Sequence, residues 1–153
     1  MHLTFQLASA SPHIPAADLL KAWAEAAHPS APAKTEVVLR IVAAAESARL
    51  NQTYRHKPGP TNVLSFPFEA PPGVPVEILG DIIICAELVE REASEQGKSL
   101  MAHWAHLVVH GLLHLQGYDH QTEAEAWVME QKEIAILDTL GFSNPYEEVL
   151  RHE

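Results

Sequence analysis

Apolar and polar positions alternate along Leu3-Thr4-Phe5-Gln6-Leu7, the two-residue period of a strand with one covered face. Pro15 to Ala27 changes period: it is rich in alanine, has apolar positions at helical spacing, and carries Pro15 near its first turn, so a helix is predicted. The Val, Leu and Ile of Glu36 to Ile41 predict a second strand, and Ala43 to Thr53 a second helix. Strands are predicted over Asn62 to Phe68, read as a core strand, and over Ile78 to Cys85. Within the latter, Ile82-Ile83-Ile84 is continuous and β-branched, the pattern of a strand covered on both faces. Three helices follow, each with a glycine suited to end it: Ala86 to Gln96 before Gly97, Leu100 to Gln116 before Gly117, and Glu123 to Leu140 before Gly141, with Pro145 beyond. The Pro-rich stretch Glu69 to Pro75 reads as a loop, because proline withholds a donor from any ladder. Asp81, after Gly80, is expected at a turn or cap, and Trp104 and Trp127 in the core. Four strands and about five helices in this order predict one sheet packed by helices, an α+β or α/β layer arrangement.

The 153 residues suit one domain spanning 1–153, and 47% hydrophobic with 20% charged residues is ordinary for a folded soluble chain. Pro, His, Glu and Asp interrupt every apolar run short of membrane-spanning length, and the N-terminus lacks the basic-then-apolar pattern of a secretory signal. The single Cys85 excludes an internal disulfide framework and is compatible with the cytoplasm. A net charge of −10 argues at first against a nucleic-acid partner. The acid is unevenly spread, however. Residues 1–67 hold six Lys/Arg against four Asp/Glu, and the remainder four against sixteen. A local positive surface around Arg40 to Lys57 is compatible with that total, because the local field matters more than the sum.

On a helix at about 100° per residue, His103, His106, His110 and His114 fall within an arc of roughly 80°. Trp104, Leu107, Val108, Val109, Leu112, Leu113 and Leu115 occupy most of the remaining circumference. Such a helix is buried, and its polar stripe must face a cleft, a metal or hydrogen-bond partners. His110 and His114 at i, i+4 offer two nitrogen ligands from one face. His106 and His110 share that spacing. The 110/114 pair is preferred because Gly117 follows it directly and can turn the chain to return His120 as a third ligand. Three protein ligands leave a position open, as in catalytic sites. Imidazoles without thiolates suit one zinc ion, though also nickel, copper or iron. His103 and His106 are then expected to line the cleft or orient ligands. Helical zinc peptidases carry a glutamate base directly after the first histidine, where this chain has Gly111. Asp119, Glu123 and Glu125 read as ligand-orienting groups, caps or surface charges.

The string His110-Gly111-Leu112-Leu113-His114-Leu115-Gln116-Gly117-Tyr118-Asp119-His120 resembles the signature of the YbeY family of metal-dependent endoribonucleases and rRNA maturation factors. Leu50-Asn51-Gln52-Thr53-Tyr54-Arg55, Thr61 to Phe68, and Leu79-Gly80-Asp81-Ile82-Ile83-Ile84 are similar to the same family in order and spacing. The resemblance implies an α+β fold with a small mixed sheet and a zincin-like metal-bearing helix. It implies zinc held by His110, His114 and His120, and a functional role for Arg55. It further implies cleavage of single-stranded RNA, maturation of the small-subunit rRNA 3′ end, ribosome quality control, and ribosomal or ribosome-assembly partners. Water and the RNA 2′-hydroxyl stay open as nucleophile. Two rival readings stand beside this one: a peptidase or other metallohydrolase, and a non-catalytic ribosome-assembly factor with a structural metal.

Overall fold

The computed structural model describes residues 1–73 and 77–147. In chain order these form β1 (His2–Ala8), α1 (Ala17–Ala27), β2 (Glu36–Val42), α2 (Ala44–Arg55), β3 (Val63–Pro67), β4 (Ile78–Cys85), α3 (Ala86–Gln96), α4 (Leu100–Leu115) and α5 (Glu123–Thr139). The fold is α+β, with five helices on a single four-stranded sheet among the described residues. Val74 and Pro75 of the expected Pro-rich loop lie outside the described residues; the part before them is irregular, with a turn at Pro72-Gly73.

The sheet order is β1-β2-β4-β3. β1, β2 and β4 are parallel neighbours, and β3 runs antiparallel to β4 at an edge. Val37, Leu39, Ile41, Ile82 and Ile84 point to one face and join Leu20, Trp23, Trp104, Leu112 and Leu113 in the main core. Ile83 points to the other face, against a smaller cluster of Val42, Cys85 and Leu88. The isoleucine run is therefore covered on both faces, as its composition implied.

Two glycines set how closely layers approach. In β4 the register passes from Ile78 opposite Glu36 to Gly80 opposite Val37, so Leu79 is the extra residue of a bulge. Gly80 has φ +148°, and a Cβ there would lie 2.3 Å from the Phe66 carbonyl oxygen. Gly111 sits in the middle of α4, where a Cβ would come within 2.9 Å of Ile82 Cγ2. The helix rests directly on β4 at this point, which is the packing reason for a residue that weakens a helix by about 1 kcal/mol.

Three expectations are corrected. Trp127 is 64% exposed on the outer side of α5, although Trp104 is fully buried. Asp81 lies within β4 opposite Phe66 and Val38, with its side chain on the exposed side, rather than at a turn. Asn62 precedes β3, and its side chain bonds Glu92 on α3 instead of packing in the core.

Gly111→Ala should destabilise the protein despite the gain in helix propensity, because Ile82 is fully buried and has little room to yield. A loss of about 1–2 kcal/mol, or roughly 3–6 °C in Tm, is expected in thermal unfolding. A rise in Tm would show that this contact does not set the helix–sheet spacing.

Candidate metal centre

The turn after α4 is a Schellman cap. Tyr118 N–H donates to Leu113 O at 3.1 Å, and Gly117 N–H to His114 O at 3.0 Å. Gly117 sits at φ +99°, a conformation that side chains disfavour. The cap reverses the chain directly beyond His114, and His120 N–H donates to Asp119 Oδ1 at 2.7 Å. The result brings His110, His114 and His120 together. Ring centroids are 4.7 Å apart for 110–114, 4.9 Å for 114–120 and 5.5 Å for 110–120. One nitrogen from each ring lies within 4.8 Å of the other two.

These rings form one wall of a groove of about 670 Å³. The facing wall comes from α2, the segment after it, and edge strand β3; its lining includes Asn51, Arg55, Lys57, Asn62 and Ser65. Buried polar residues of α2 hold that wall. Ser47 Oγ donates to Thr61 O at 2.8 Å and accepts from Thr61 N–H at 2.9 Å. Asn51 Nδ2 donates to Gly59 O at 2.9 Å. Arg55 ends the helix and donates from Nη2 to Ser65 O at 3.1 Å. Its guanidinium carbon lies 5.7 Å from the centre of the Phe66 ring. His56 then adopts φ 57°, the left-handed conformation that closes α2. Of the basic residues between Arg40 and Lys57, Arg55 and Lys57 reach the groove, while Arg40 is paired with Glu46.

Comparison with known proteins places the chain in a family. The family model described as Endoribonuclease YbeY matches residues 9–141. An endoribonuclease YbeY of Methylococcus capsulatus is 62% identical over 147 residues, covering 96% of each chain. The chain belongs to the YbeY family. A solution structure of TM1509 from Thermotoga maritima superposes with a TM-score of 0.57 at 24% identity, covering 95% of this chain and 99% of that one, a likeness of fold.

The YbeY-like string from His110 to His120 occupies the end of α4 and its cap; Leu50 to Arg55 and Thr61 to Phe68 contribute to the facing wall, and Leu79 to Ile84 lies in β4. A residue outside those strings completes the site. Glu133 of α5 is 0% exposed. Its Oε2 lies 2.6 Å from His106 Nε2 and 3.3 Å from His110 Nδ1, and its Oε1 accepts from the Tyr146 hydroxyl at 2.7 Å. Burial acts to raise the Glu133 pKa, but the His106 and His110 contacts outweigh it and hold the carboxyl down to about 2. Burial first, and then the Glu133 charge, push the Tyr146 phenol above its ordinary range, so it remains a donor. His106 and His103 do not line the groove. His103 Nε2 pairs instead with Glu92 Oε1 at 2.9 Å, and the same carboxylate accepts from Asn62. Glu125 caps α5 through a reciprocal box with Thr122.

His106, His110 and Glu133 form a second group with metal-binding donors. The 2.6 Å separation of His106 Nε2 and Glu133 Oε2 is a hydrogen bond. Ligands at 2.0–2.1 Å on one tetrahedral zinc would stand about 3.3 Å apart. The group is read as a hydrogen-bond network, and the three-histidine group fits an ion better. Two of its rings rise from successive turns of one rigid helix. Burial, with the neighbouring His110 and His120 adding to it, lowers His114 to about 4, so its ring is neutral at pH 7 as a lone-pair donor must be.

This shift fixes a pH dependence. The folded value lies below the ordinary 6.5, so the stabilisation is complete above pH 6.5 and is lost as pH falls toward 4. His103 and His28, also lowered by burial, act in the same direction. Metal-free protein should show a falling urea midpoint between pH 7 and 4.5, and His114→Gln should lose less over that range. Identical slopes for the two proteins would contradict the assignment.

Proposed function

We propose that the chain is a single-domain, zinc-dependent endoribonuclease that cuts single-stranded RNA. We place it in the cytoplasm, in maturation of the small-subunit rRNA 3′ end and in ribosome quality control, alongside ribosomal or assembly-factor partners. The observation that carries the reading is the groove itself: three histidine nitrogens converge on one wall, and Arg55 and Lys57 line the other. Family membership supports RNA as the substrate. Among the described residues no helix is long and apolar enough to cross a membrane.

His110, His114 and His120 would hold the ion, from a zincin-like helix and the turn beyond it. A bound zinc supplies Lewis acidity toward a phosphate oxygen and activation of water. Arg55, anchored on Ser65 O, binds the phosphate bidentately and meets the charge that grows on its oxygens during cleavage. Lys57 adds a second cation at the same groove. The acid-rich second half of the chain keeps affinity for unstructured RNA weak and salt-sensitive. The peptidase alternative places its base at position 111, where even a Cβ collides with Ile82.

Cleavage of a labelled single-stranded RNA by parallel preparations of wild type and His114→Ala tests the reading, with circular dichroism as the check on fold. Wild type should cut, lose activity to a chelator, and recover it with zinc, while His114→Ala stays inactive. Equal cutting by both would remove the metal centre from the reaction. Arg55→Ala should slow cleavage on the order of 100-fold with little change in Tm, and Arg55→Lys should restore little, since lysine lacks the planar fork.

A further inference from the structure

Resting on the metal-centre reading above, we propose that Glu133 is a positioning residue: with Tyr146 and His106 it locks the His110 ring so that Nε2 is presented to the ion. A carboxylate with no exposed surface in the middle of a helix is expensive unless its oxygens are bonded. Here they are: His106 and His110 share Oε2, and the Tyr146 hydroxyl takes Oε1.

An imidazole that gives one nitrogen to a metal must carry its proton on the other. His110 Nδ1 faces a charged acceptor at 3.3 Å, which selects the Nδ1–H tautomer and leaves the Nε2 lone pair free. His106 supports the same carboxylate from the preceding turn. Its Nε2 is the bonded nitrogen, and its Nδ1 is buried without a partner among the described residues. Such a ring fits the Nε2–H donor form and is turned away from ligation. Tyr146 reaches the network from the segment after α5, where its own N–H donates to Asn144 Oδ1 at 2.8 Å. Its ring stands edge-on to His106 at 5.3 Å. Tyr146 thereby bears on the metal wall through two polar contacts, its hydroxyl bond to Glu133 Oε1 and a 3.2 Å approach to His106 Nε2.

Two measurements on the full chain test this. Long-range ¹H–¹⁵N NMR of the metal-free protein reads the tautomer of His110. Competition against a chromogenic chelator reads zinc affinity. Wild type should show His110 protonated at Nδ1 and bind one zinc. Folded Glu133→Gln should show a mixture of tautomers and bind zinc 10–100-fold more weakly at unchanged stoichiometry. Tyr146→Phe alters a partly exposed side chain and keeps the test open if Glu133→Gln fails to fold; it should weaken zinc by a smaller factor in the same direction. A wild-type His110 protonated at Nε2, or unchanged zinc affinity in both folded variants, would overturn the proposal while leaving the metal centre intact. Failure of wild type itself to bind zinc would overturn the metal centre, and the proposal with it.

Discussion

The burial of α4 against the sheet is the constraint on which the rest depends. This helix is apolar around most of its circumference, and Trp104, Val108, Val109 and Leu112 are fully buried in the main core. Gly111 lets the helix lie directly on Ile82. Close packing on one side fixes the rotation of the helix about its axis, so the C-terminal end of the histidine stripe is turned toward the groove beside edge strand β3. A helix held this rigidly presents His110 and His114 in constant relation to His120, whose place depends on the left-handed Gly117 of the cap.

The histidine stripe would be a liability if left unpartnered in such a core, and the structure resolves it in two ways. Toward the N-terminal end of α4, His103 and His106 are taken up by carboxylates from α3 and α5, Glu92 and Glu133. Toward the C-terminal end, His110 and His114 open onto the groove. His110 belongs to both regimes, with one nitrogen near Glu133 and its ring beside His114 and His120. The transition from buried network to open groove along one helix face is what separates the supporting groups from the exposed donor set.

Much of this was legible in the sequence. Every strand and helix was anticipated, β4 and α3 to the residue, because period and glycine punctuation agree there. α2 runs two residues further than its apolar pattern, since its last turn is closed by His56 in a left-handed conformation that composition does not announce. The convergence of His110, His114 and His120 followed from helical spacing and one glycine. Glu133 was missed, although a signal existed: it stands four residues after Met129 and four before Leu137, both buried, so an acid occupies the apolar stripe of α5. Tyr146 had no such signal, because its contact depends on how the segment after α5 folds back. Asn62 and Trp127 misled for the opposite reason, since residue type alone does not tell which side of an element meets the core.

The central claim is that the ion belongs to His110, His114 and His120 rather than to the neighbouring group of His106, His110 and Glu133. Zinc titration of metal-free His120→Ala and His106→Ala, side by side with wild type, tests it most directly. The account predicts one zinc per chain for wild type and for His106→Ala, the latter with weakened affinity, and loss of specific binding in His120→Ala. Retention of tight binding by His120→Ala together with its loss in His106→Ala would contradict it.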